Sequence, residues 1–177
     1  MQTSRAFACG FGFRENVGEA TSQGIEIEYN ASVTDAITLS LGGAYMNSEL
    51  DQDVPNLNAE KGDQAPFVPE FTFNGSAEYR FPIGAERDGY AWLNLQHVGE
   101  RNTEFDTESA NNKKMNSYEL VNLRVGMLWG RYDISLFANN LTDSRGVLRA
   151  LGRPPFDPDA RIRVQPRTIG LSLRGAF

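Results

Sequence analysis

The sequence predicts an all-β fold, namely an antiparallel up-and-down transmembrane β-barrel segment of seven or eight strands. Three observations support this fold class. Apolar and polar residues alternate with a period of two in several segments, short and long connections follow each other in turn, and aromatic residues concentrate near the ends of the alternating segments. A membrane barrel combines these features because each strand presents one face to lipid and the other to the lumen, with aromatic girdles at both interfaces.

Seven segments show the alternation of a strand with two different faces. They are residues 24–33, 37–45, 71–81, 91–96, 121–129, 132–139 and 168–177. In the first segment Ile25 and Ile27 share one face, while Glu26 and Glu28 share the other. Charged side chains are too costly to bury unpaired in a small dry core. The polar faces therefore need water or one another.

The connections between these segments alternate in length. Residues 34–35, 82–89 and 130–131 form short connections, whereas residues 46–68, 98–118 and 140–167 form long ones rich in Asn, Asp, Pro and Gly. Outer-membrane barrels show this asymmetry, with tight periplasmic turns and extended external loops. Three loops of about twenty residues are uncommon in a compact soluble domain. We therefore expect the long loops on the external side.

The number of strands bears on how much of a barrel the chain forms. With the C-terminus at the periplasmic face, seven strands place the start of the sheet on the external side, and a barrel with both ends in the periplasm needs an even number. Residues 4–13, in which Phe7, Cys9, Phe11 and Phe13 share a face, offer an eighth, ascending strand. The chain is therefore either an eight-stranded barrel or a part of a larger one.

Composition and isolated motifs exclude several other functions. The chain has 17 Lys and Arg against 23 Asp and Glu, a net charge of -6 that disfavours a nucleic-acid surface. One Cys and one His cannot complete a structural zinc site, and no segment has the roughly 18 uninterrupted apolar residues of a transmembrane helix. Asp51 and Asp53 do not begin a calcium loop, because Asn56 stands where glycine is required. We expect no enzyme activity and no cofactor.

Four landmarks carry a resemblance to one known family. They are Asn16-Val17-Gly18-Glu19-Ala20 before Gly24-Ile25-Glu26, Pro66-Phe67-Val68-Pro69 before Phe71, Phe137-Ala138-Asn139-Asn140-Leu141-Thr142-Asp143, and Pro166-Arg167-Thr168-Ile169-Gly170 before the closing Phe177. With these residues the chain resembles the C-terminal part of a TonB-dependent outer-membrane receptor over nearly its whole length. Asn139, Asn140 and Asp143 also suit an architectural role, because Asn and Asp side chains bind nearby backbone in turns.

The resemblance implies a place in a larger assembly. Plugged barrels have roughly 22 strands, so residues 1–177 would be the C-terminal part of one and Met1 an internal methionine. The family's plug domain, TonB-binding segment and signal peptide are expected to lie outside this segment. The implied partners are outer-membrane lipid, the rest of the barrel and its plug, the TonB complex through the N-terminal part, and the outer-membrane assembly machinery. The implied location is the outer membrane of a Gram-negative bacterium.

The same resemblance implies an activity and a set of site residues. The activity is uptake of a scarce bulky nutrient, of the ferric siderophore, cobalamin or oligosaccharide class, with energy delivered through TonB. Ligand contacts are expected from residues of the external loops, namely Phe105, Asp106, Arg149, Arg153 and Phe156. The final strand is expected to serve barrel assembly and recognition by the assembly machinery, through Ile169, Leu171, Leu173 and Phe177.

Two alternatives use the same strands differently. A self-contained eight-stranded outer-membrane barrel would have a structural or adhesive role, for which 177 residues suffice. A soluble lipocalin-like β-barrel would turn its aliphatic faces inward around a small ligand. The two alternatives differ in how they partition between water and membrane. The soluble barrel stays in the aqueous phase, whereas the membrane barrel requires detergent or lipid.

Overall fold

The computed structural model describes residues 2–6, 12–16, 18–150 and 159–176, with side chains in the last two ranges. Eleven β-strands and one turn of 3-10 helix, Pro55–Leu57, occur in this part of the chain. The strands are β1 (Gln2–Ala6), β2 (Gly12–Asn16), β3 (Ala20–Ser32), β4 (Ile37–Leu50), β5 (Phe71–Pro82), β6 (Arg87–Val98), β7 (Tyr118–Trp129), β8 (Tyr132–Asn139), β9 (Val147–Ala150), β10 (Arg161–Arg163) and β11 (Thr168–Gly175). Within these ranges no helix has the length and hydropathy of a membrane span.

Seven of the strands form one antiparallel sheet. Its order is β3-β4-β5-β6-β7-β8-β11, so each strand pairs with the next along the chain, apart from the β9–β10 hairpin inserted between β8 and β11. The sheet is open, with β3 and β11 at its edges. This up-and-down arrangement confirms the predicted all-β antiparallel fold, and its seven strands fall on the seven alternating segments.

The register of the sheet sorts the side chains onto two faces. Partners across the strands are of the same kind, since Tyr29 lies opposite Leu41 and Leu136 lies opposite Leu171. The apolar face is uncovered, because Ile25, Leu136 and Leu171 are 68%, 61% and 69% exposed. A layer packed against these side chains would have hidden them. The hydrophobic core of the described residues is therefore not under the sheet.

The two ends of the sheet differ as the sequence predicts. Residues 33–36, 83–86 and 130–131 join strands at one end, here called the short-turn end, and residues 51–70, 99–117 and 140–167 join them at the other, the long-loop end. Gly130 has a φ of 57°, which suits the first of two residues in a tight hairpin, where glycine is favoured. The hairpin β9–β10 within the last loop is an element that the alternation does not predict.

The predicted eighth strand over residues 4–13 is wrong. β1 pairs antiparallel with β2, with Arg5 opposite Phe13, so the chain reverses direction within this segment. The two strands form a sheet of their own and do not extend the seven-stranded sheet. Of the residues that suggested the strand, Phe7, Cys9 and Phe11 lie outside the described residues. Alternation over a short segment does not reveal a reversal within it.

The small hydrophobic core lies at the long-loop end. Leu50, Val54, Ala59 and Phe105 are buried together, and Leu57 packs against them. Leu50 ends β4, the next residues belong to the loop that follows it, and Phe105 comes from the loop between β6 and β7. The hydrophobic effect thus joins two loops that are distant in sequence.

Candidate functional site

The long loops are fastened to one another by hydrogen bonds as well as by their core. The Phe67 amide donates to the Asn102 carbonyl at 2.8 Å, which joins the loop of residues 51–70 to that of residues 99–117. The Arg101 side chain donates from Nη2 to the Val147 carbonyl at 2.7 Å, which adds the third loop through β9. We call residues 51–70, 99–117 and the described part of 140–167 the loop platform. This platform is the surface that the long-loop end presents.

Two of the predicted ligand residues lie on the same loop but in different surroundings. Phe105 is 6% exposed and belongs to the core of the loop platform. In this structure the Phe105 ring supports the loops, and its contact with a ligand stays a prediction. Asp106 is half-buried, and its Oδ1 accepts from the Glu108 amide at 2.9 Å, which is a local turn.

The predicted residue Arg149 lies beside an aromatic ring that the sequence analysis did not select. Its guanidinium carbon is 6.0 Å from the ring centroid of Phe67, and the Phe67 ring is 42% exposed. Phe67 has a φ of 65°, an uncommon backbone conformation for a bulky residue that needs support from its surroundings. The pair thus places a cation beside an exposed aromatic ring on the loop platform. Arg153 and Phe156 lie outside the described residues.

An acidic cleft of 640 Å³ opens between two loops of the platform. Its carboxylates come from Asp53, Glu60, Asp63, Asp106 and Glu108. Several of them bind backbone, since Asp53 Oδ1 accepts from the Lys61 amide at 2.9 Å and Asp63 Oδ2 accepts from the Glu60 amide at 2.7 Å. Across the residues that the structure describes, no three His, Cys, Asp or Glu side chains are arranged to hold a metal ion. Asp53, Asp63 and Asp106 thus hold turns of the loops.

Asparagine side chains cross the polar face of the sheet in a hydrogen-bonded row. Asn94 on β6 donates from Nδ2 to Asn74 Oδ1 on β5 at 2.9 Å. Asn122 on β7 donates to Asn94 Oδ1 at 3.1 Å, and the Asn140 amide donates to Asn122 Oδ1 at 3.0 Å. This row, here called the asparagine ladder, runs from β5 to the residue that follows β8. It gives these amide groups hydrogen-bond partners within the protein on the polar face of the sheet.

Asn140 joins the asparagine ladder to the last loop. Its side chain is buried, with the residue 4% exposed, and donates from Nδ2 to the carbonyls of Ser144 at 2.9 Å and Gln165 at 2.8 Å. Its Oδ1 accepts from the Ser144 amide at 2.8 Å, and its φ of 51° is left-handed. These contacts confirm an architectural role for Asn140. Asn139 is exposed and shows none of them.

Asp143 completes the same junction. Its Oδ1 accepts from the Arg167 amide at 3.2 Å, and its Oδ2 accepts from Arg145 Nη2 at 3.4 Å. The hydrogen bond from the Arg167 amide, followed by that from the Arg145 side chain, lowers the pKa of Asp143. The ionised carboxylate thus holds the residue before β11 against the end of β8. This confirms the architectural role predicted for Asp143.

The lowered pKa of Asp143 predicts a stability contribution that acid removes. Because the folded pKa is lower than the unfolded one, the contribution is complete above about pH 4 and is lost as the pH falls through the folded value. Asp143→Asn is therefore expected to lower the urea midpoint at neutral pH and to match the unchanged protein in strong acid. Urea unfolding in detergent across this pH range measures the difference. A difference that stays constant with pH would contradict the role of the carboxylate.

A mixed cluster lies on the polar face near the short-turn end. It surrounds a cavity of 430 Å³ whose lining includes Glu78, Tyr90, Trp92, Arg124 and Asp133. The Tyr90 hydroxyl donates to Asp133 Oδ1 at 2.8 Å, and the Tyr90 ring lies so close to Gly126 that a Cβ there would meet it at 2.7 Å. Trp92 thus belongs, together with Tyr90, to an aromatic and charged area on the polar face of the sheet.

His97 is the next-to-last residue of β6, at the long-loop end of the sheet. Its Nδ1 is 3.2 Å from Glu119 Oε1, and its ring centroid is 5.7 Å from that of Phe71. These contacts connect three neighbouring strands across the apolar face. They assign His97 a packing and pairing role in the described sheet.

The final strand presents its predicted apolar residues on the uncovered face. Ile169, Leu171 and Leu173 are 69%, 69% and 68% exposed. On the opposite face Arg174 lies across from Asp133 of β8. Phe177 is outside the described residues. The last strand therefore has the same two faces as the rest of the sheet.

Comparison with known sequences gives a family and a set of relatives. The family model described as TonB dependent receptor-like, β-barrel matches residues 2–141. The metal-pseudopaline receptor CntO of Pseudomonas aeruginosa strain PAO1 is 26% identical over 168 residues, which cover 92% of this chain and 22% of CntO. The corresponding receptor of strain UCBPP-PA14 is 25% identical over 163 residues. The chain thus spans about a fifth of the length of the curated relatives it matches.

Solved structures match the fold. The ferric yersiniabactin uptake receptor FyuA from Yersinia pestis superimposes with a TM-score of 0.78 at 21% identity, covering 93% of this chain and 25% of FyuA. The ferric preacinetobactin receptor BauA from Acinetobacter baumannii gives a TM-score of 0.67 at 18% identity, with 97% of this chain and 25% of BauA covered. Together with the family match over most of its length, the two-faced sheet identifies this chain as a member of the TonB-dependent receptor β-barrel family.

Proposed function

We propose that this chain forms part of the barrel wall and three external loops of an outer-membrane receptor that imports a metal chelate with energy delivered through TonB. The observation that carries the proposal is the uncovered apolar face of the sheet, with Ile25 at 68% and Leu171 at 69% exposure. Such a face is stable against lipid and unstable in water. The family of this chain consists of transport receptors and not of enzymes.

A metal chelate is the nutrient class that the relatives favour over cobalamin or an oligosaccharide. CntO is named as a receptor for metal-pseudopaline, FyuA as an uptake receptor for ferric yersiniabactin and BauA as a receptor for ferric preacinetobactin. Each of these names describes a metal ion bound by a small organic ligand. We therefore propose the same chemical class for the protein to which this chain belongs.

The two faces and the two ends of the sheet have separate tasks in this proposal. The apolar face contacts lipid, and the polar face with its asparagine ladder faces the lumen and the plug. The short-turn end lies in the periplasm and the loop platform lies outside the cell, as in other outer-membrane barrels. The plug, the TonB contact and the remaining strands come from parts of the protein beyond this segment. Assembly into the Gram-negative outer membrane involves the final strand, with Ile169, Leu171, Leu173 and Phe177.

Ligand contacts are proposed on the exposed surface of the loop platform. Arg149 beside the Phe67 ring is the strongest candidate, because an exposed guanidinium can bind the anionic groups of a metal chelate and the ring beside it adds an apolar surface. Asp106, Arg153 and Phe156 remain candidates by their external position. Phe105 contributes indirectly, since its ring lies in the core that holds the loops together.

Replacing Arg149 by glutamine tests this assignment. Arg149→Gln is expected to raise the chelate concentration for half-maximal uptake about tenfold or more, because a hydrogen bond to a charged group contributes roughly 1.5 to 3 kcal/mol. Uptake of a radiolabelled ferric chelate by iron-starved cells measures the effect, and collapse of the proton gradient is expected to stop uptake.

The matched control is Arg87→Gln, an arginine at the short-turn end whose guanidinium carbon is 4.9 Å from the Trp129 ring centroid. This variant is expected to leave the concentration dependence unchanged. Exchange of all three long loops extends the test to Asp106, Arg153 and Phe156. Unchanged uptake after that exchange would defeat the proposed loop contacts, and uptake that persists without the proton gradient would defeat the proposed energy source.

A further inference from the structure

A cleft of 520 Å³ opens at the long-loop end, between β7 and the β9–β10 hairpin. Part of its wall is formed by Leu95, Glu119 and Val121. These residues lie on the apolar face, because their positions alternate with those of Asn94 and Asn122 of the asparagine ladder. The cleft therefore reaches the apolar face of the sheet, on the side away from the lumen. It lies where this face meets the long-loop end.

Four basic side chains line the same cleft on the loop side. They are Lys114, Arg145, Arg161 and Arg163. Lys114 comes from the loop before β7, Arg145 follows β8, and the two others belong to β10. Among the described residues that line this cleft Glu119 is the one acidic residue, so the basic residues outnumber the acidic ones. Along the strand direction the cleft thus changes from apolar residues to a group of cations.

These cations keep donors for a further partner. Lys114 Nζ is 2.9 Å from Glu100 Oε2, and Arg145 Nη2 is 3.4 Å from Asp143 Oδ2. The lysine and arginine side chains are 56% and 76% exposed, so both pairs are weak surface pairs. Arg163 Nη1 donates to the Arg145 carbonyl at 3.0 Å, which fixes its guanidinium beside the cleft. An arginine uses only one of its five N–H donors in such a contact.

The basic side chains of the cleft and its place beside the apolar face indicate which ligand it binds. A lipid in the external leaflet places its chains beside the apolar face and its head group at the level of the long loops. Arginine forks match the geometry of phosphate oxygens and bind them bidentately. Nutrients would instead approach the lumen side of the sheet and of the loop platform, whereas this cleft opens on the side of the apolar face. The cleft has the order of apolar and cationic groups that an anionic lipid requires.

We propose that the cleft formed by Leu95, Val121, Lys114, Arg145, Arg161 and Arg163 binds the phosphorylated head group of a lipid in the external leaflet. The inference rests on the proposed membrane position, and it goes beyond the proposed transport. Binding would fix the β9–β10 hairpin and the last loop against the barrel wall. The lipid would thus act as a structural partner of the loop platform.

The test uses the native protein purified in an uncharged detergent. Membrane fractionation comes first. A protein that stays in the aqueous fraction without detergent would contradict the proposed function itself. Binding to vesicles of phosphatidylcholine with phosphatidylglycerol is then compared with binding to phosphatidylcholine alone, with inorganic phosphate as competitor. We expect a preference for the anionic vesicles that inorganic phosphate does not remove. Removal of the preference by phosphate would indicate a site for the free ion and overturn the proposal.

Charge variants separate this cleft from general electrostatic attraction. Arg145→Gln and Arg163→Gln are each expected to weaken anionic binding roughly fivefold, because one basic residue near an anionic surface contributes about 1 kcal/mol. Glu119→Gln is expected to strengthen it by a similar factor, a gain that misfolding cannot produce. Lys61→Gln, on another loop, is the matched control and should have no effect. Equal binding by Arg163→Gln, Glu119→Gln and the unchanged protein would overturn the proposal.

Discussion

Leu93→Arg is expected to destabilise the folded protein by about 2 to 4 kcal/mol, the cost of an arginine on the lipid face of a barrel near the bilayer midplane. Leu93 lies in the middle of β6, between Ala77 and Leu123 on the apolar face. The side chain is 46% exposed, and a substitution at such a position would change little in water. A large effect therefore identifies the surroundings of this face as lipid. Urea unfolding of the protein in lipid vesicles measures it.

The matched control is Gln96→Arg on the same strand. Gln96 is exposed on the polar face, where it lies opposite Asn74 and Leu120. An arginine there would meet water in the lumen, so its expected effect is within about 0.5 kcal/mol. Equal and small effects of both variants would contradict the lipid-facing assignment of the apolar face and would favour a soluble barrel.

Asn140→Ala is expected to destabilise the protein by about 3 to 5 kcal/mol. The substitution removes three side-chain hydrogen bonds with Ser144 and Gln165, each of which contributes about 1 kcal/mol. It also places alanine at a φ of 51°, a left-handed conformation that costs roughly 1 kcal/mol or more for a residue with a Cβ. Equilibrium unfolding in vesicles gives the free energy.

Two further variants separate the causes of the Asn140 effect. Asn140→Gly relieves the backbone cost and leaves the lost hydrogen bonds, so it is expected to recover about 1 kcal/mol relative to alanine. Asn139→Ala changes the adjacent exposed asparagine and should have an effect within about 0.5 kcal/mol. If Asn140→Ala were as mild as Asn139→Ala, the junction between β8 and β11 would not depend on this side chain.

The family assignment removes one alternative and the sheet weakens another. A lipocalin-like barrel does not belong to the TonB-dependent receptor family that residues 2–141 match. A self-contained eight-stranded barrel needs an eighth strand beside β3 or β11, but β1 and β2 pair with each other. Nearly the whole chain instead superimposes on about a quarter of FyuA and of BauA.

The alternating pattern and the lengths of the connections determined the seven strands of the main sheet, its two faces and its unequal ends. Glu28 and Tyr29 cannot share a face of a strand, so their order in the chain assigns one to each side. Connections 34–35 and 130–131 are too short for anything except an antiparallel turn. The residue types of Asn140 and Asp143 predict an architectural role, because Asn and Asp side chains bind nearby backbone in turns. For Asn140 this is the hydrogen bond that its Oδ1 accepts from the Ser144 amide.

Only the tertiary structure decided how distant segments meet. Phe105 was predicted to contact ligand from its place in an external loop, but only the structure shows that its ring packs with Leu50 at the end of β4 and with Val54 of the loop that follows. Asn140 reaches Gln165, 25 residues further along the chain, and the basic cleft combines side chains from three separate segments. The periodicity of a sequence indicates only which residues of one strand share a face. Contacts between loops depend on how the whole sheet brings their ends together, and for this reason the loop platform could not be derived from the sequence.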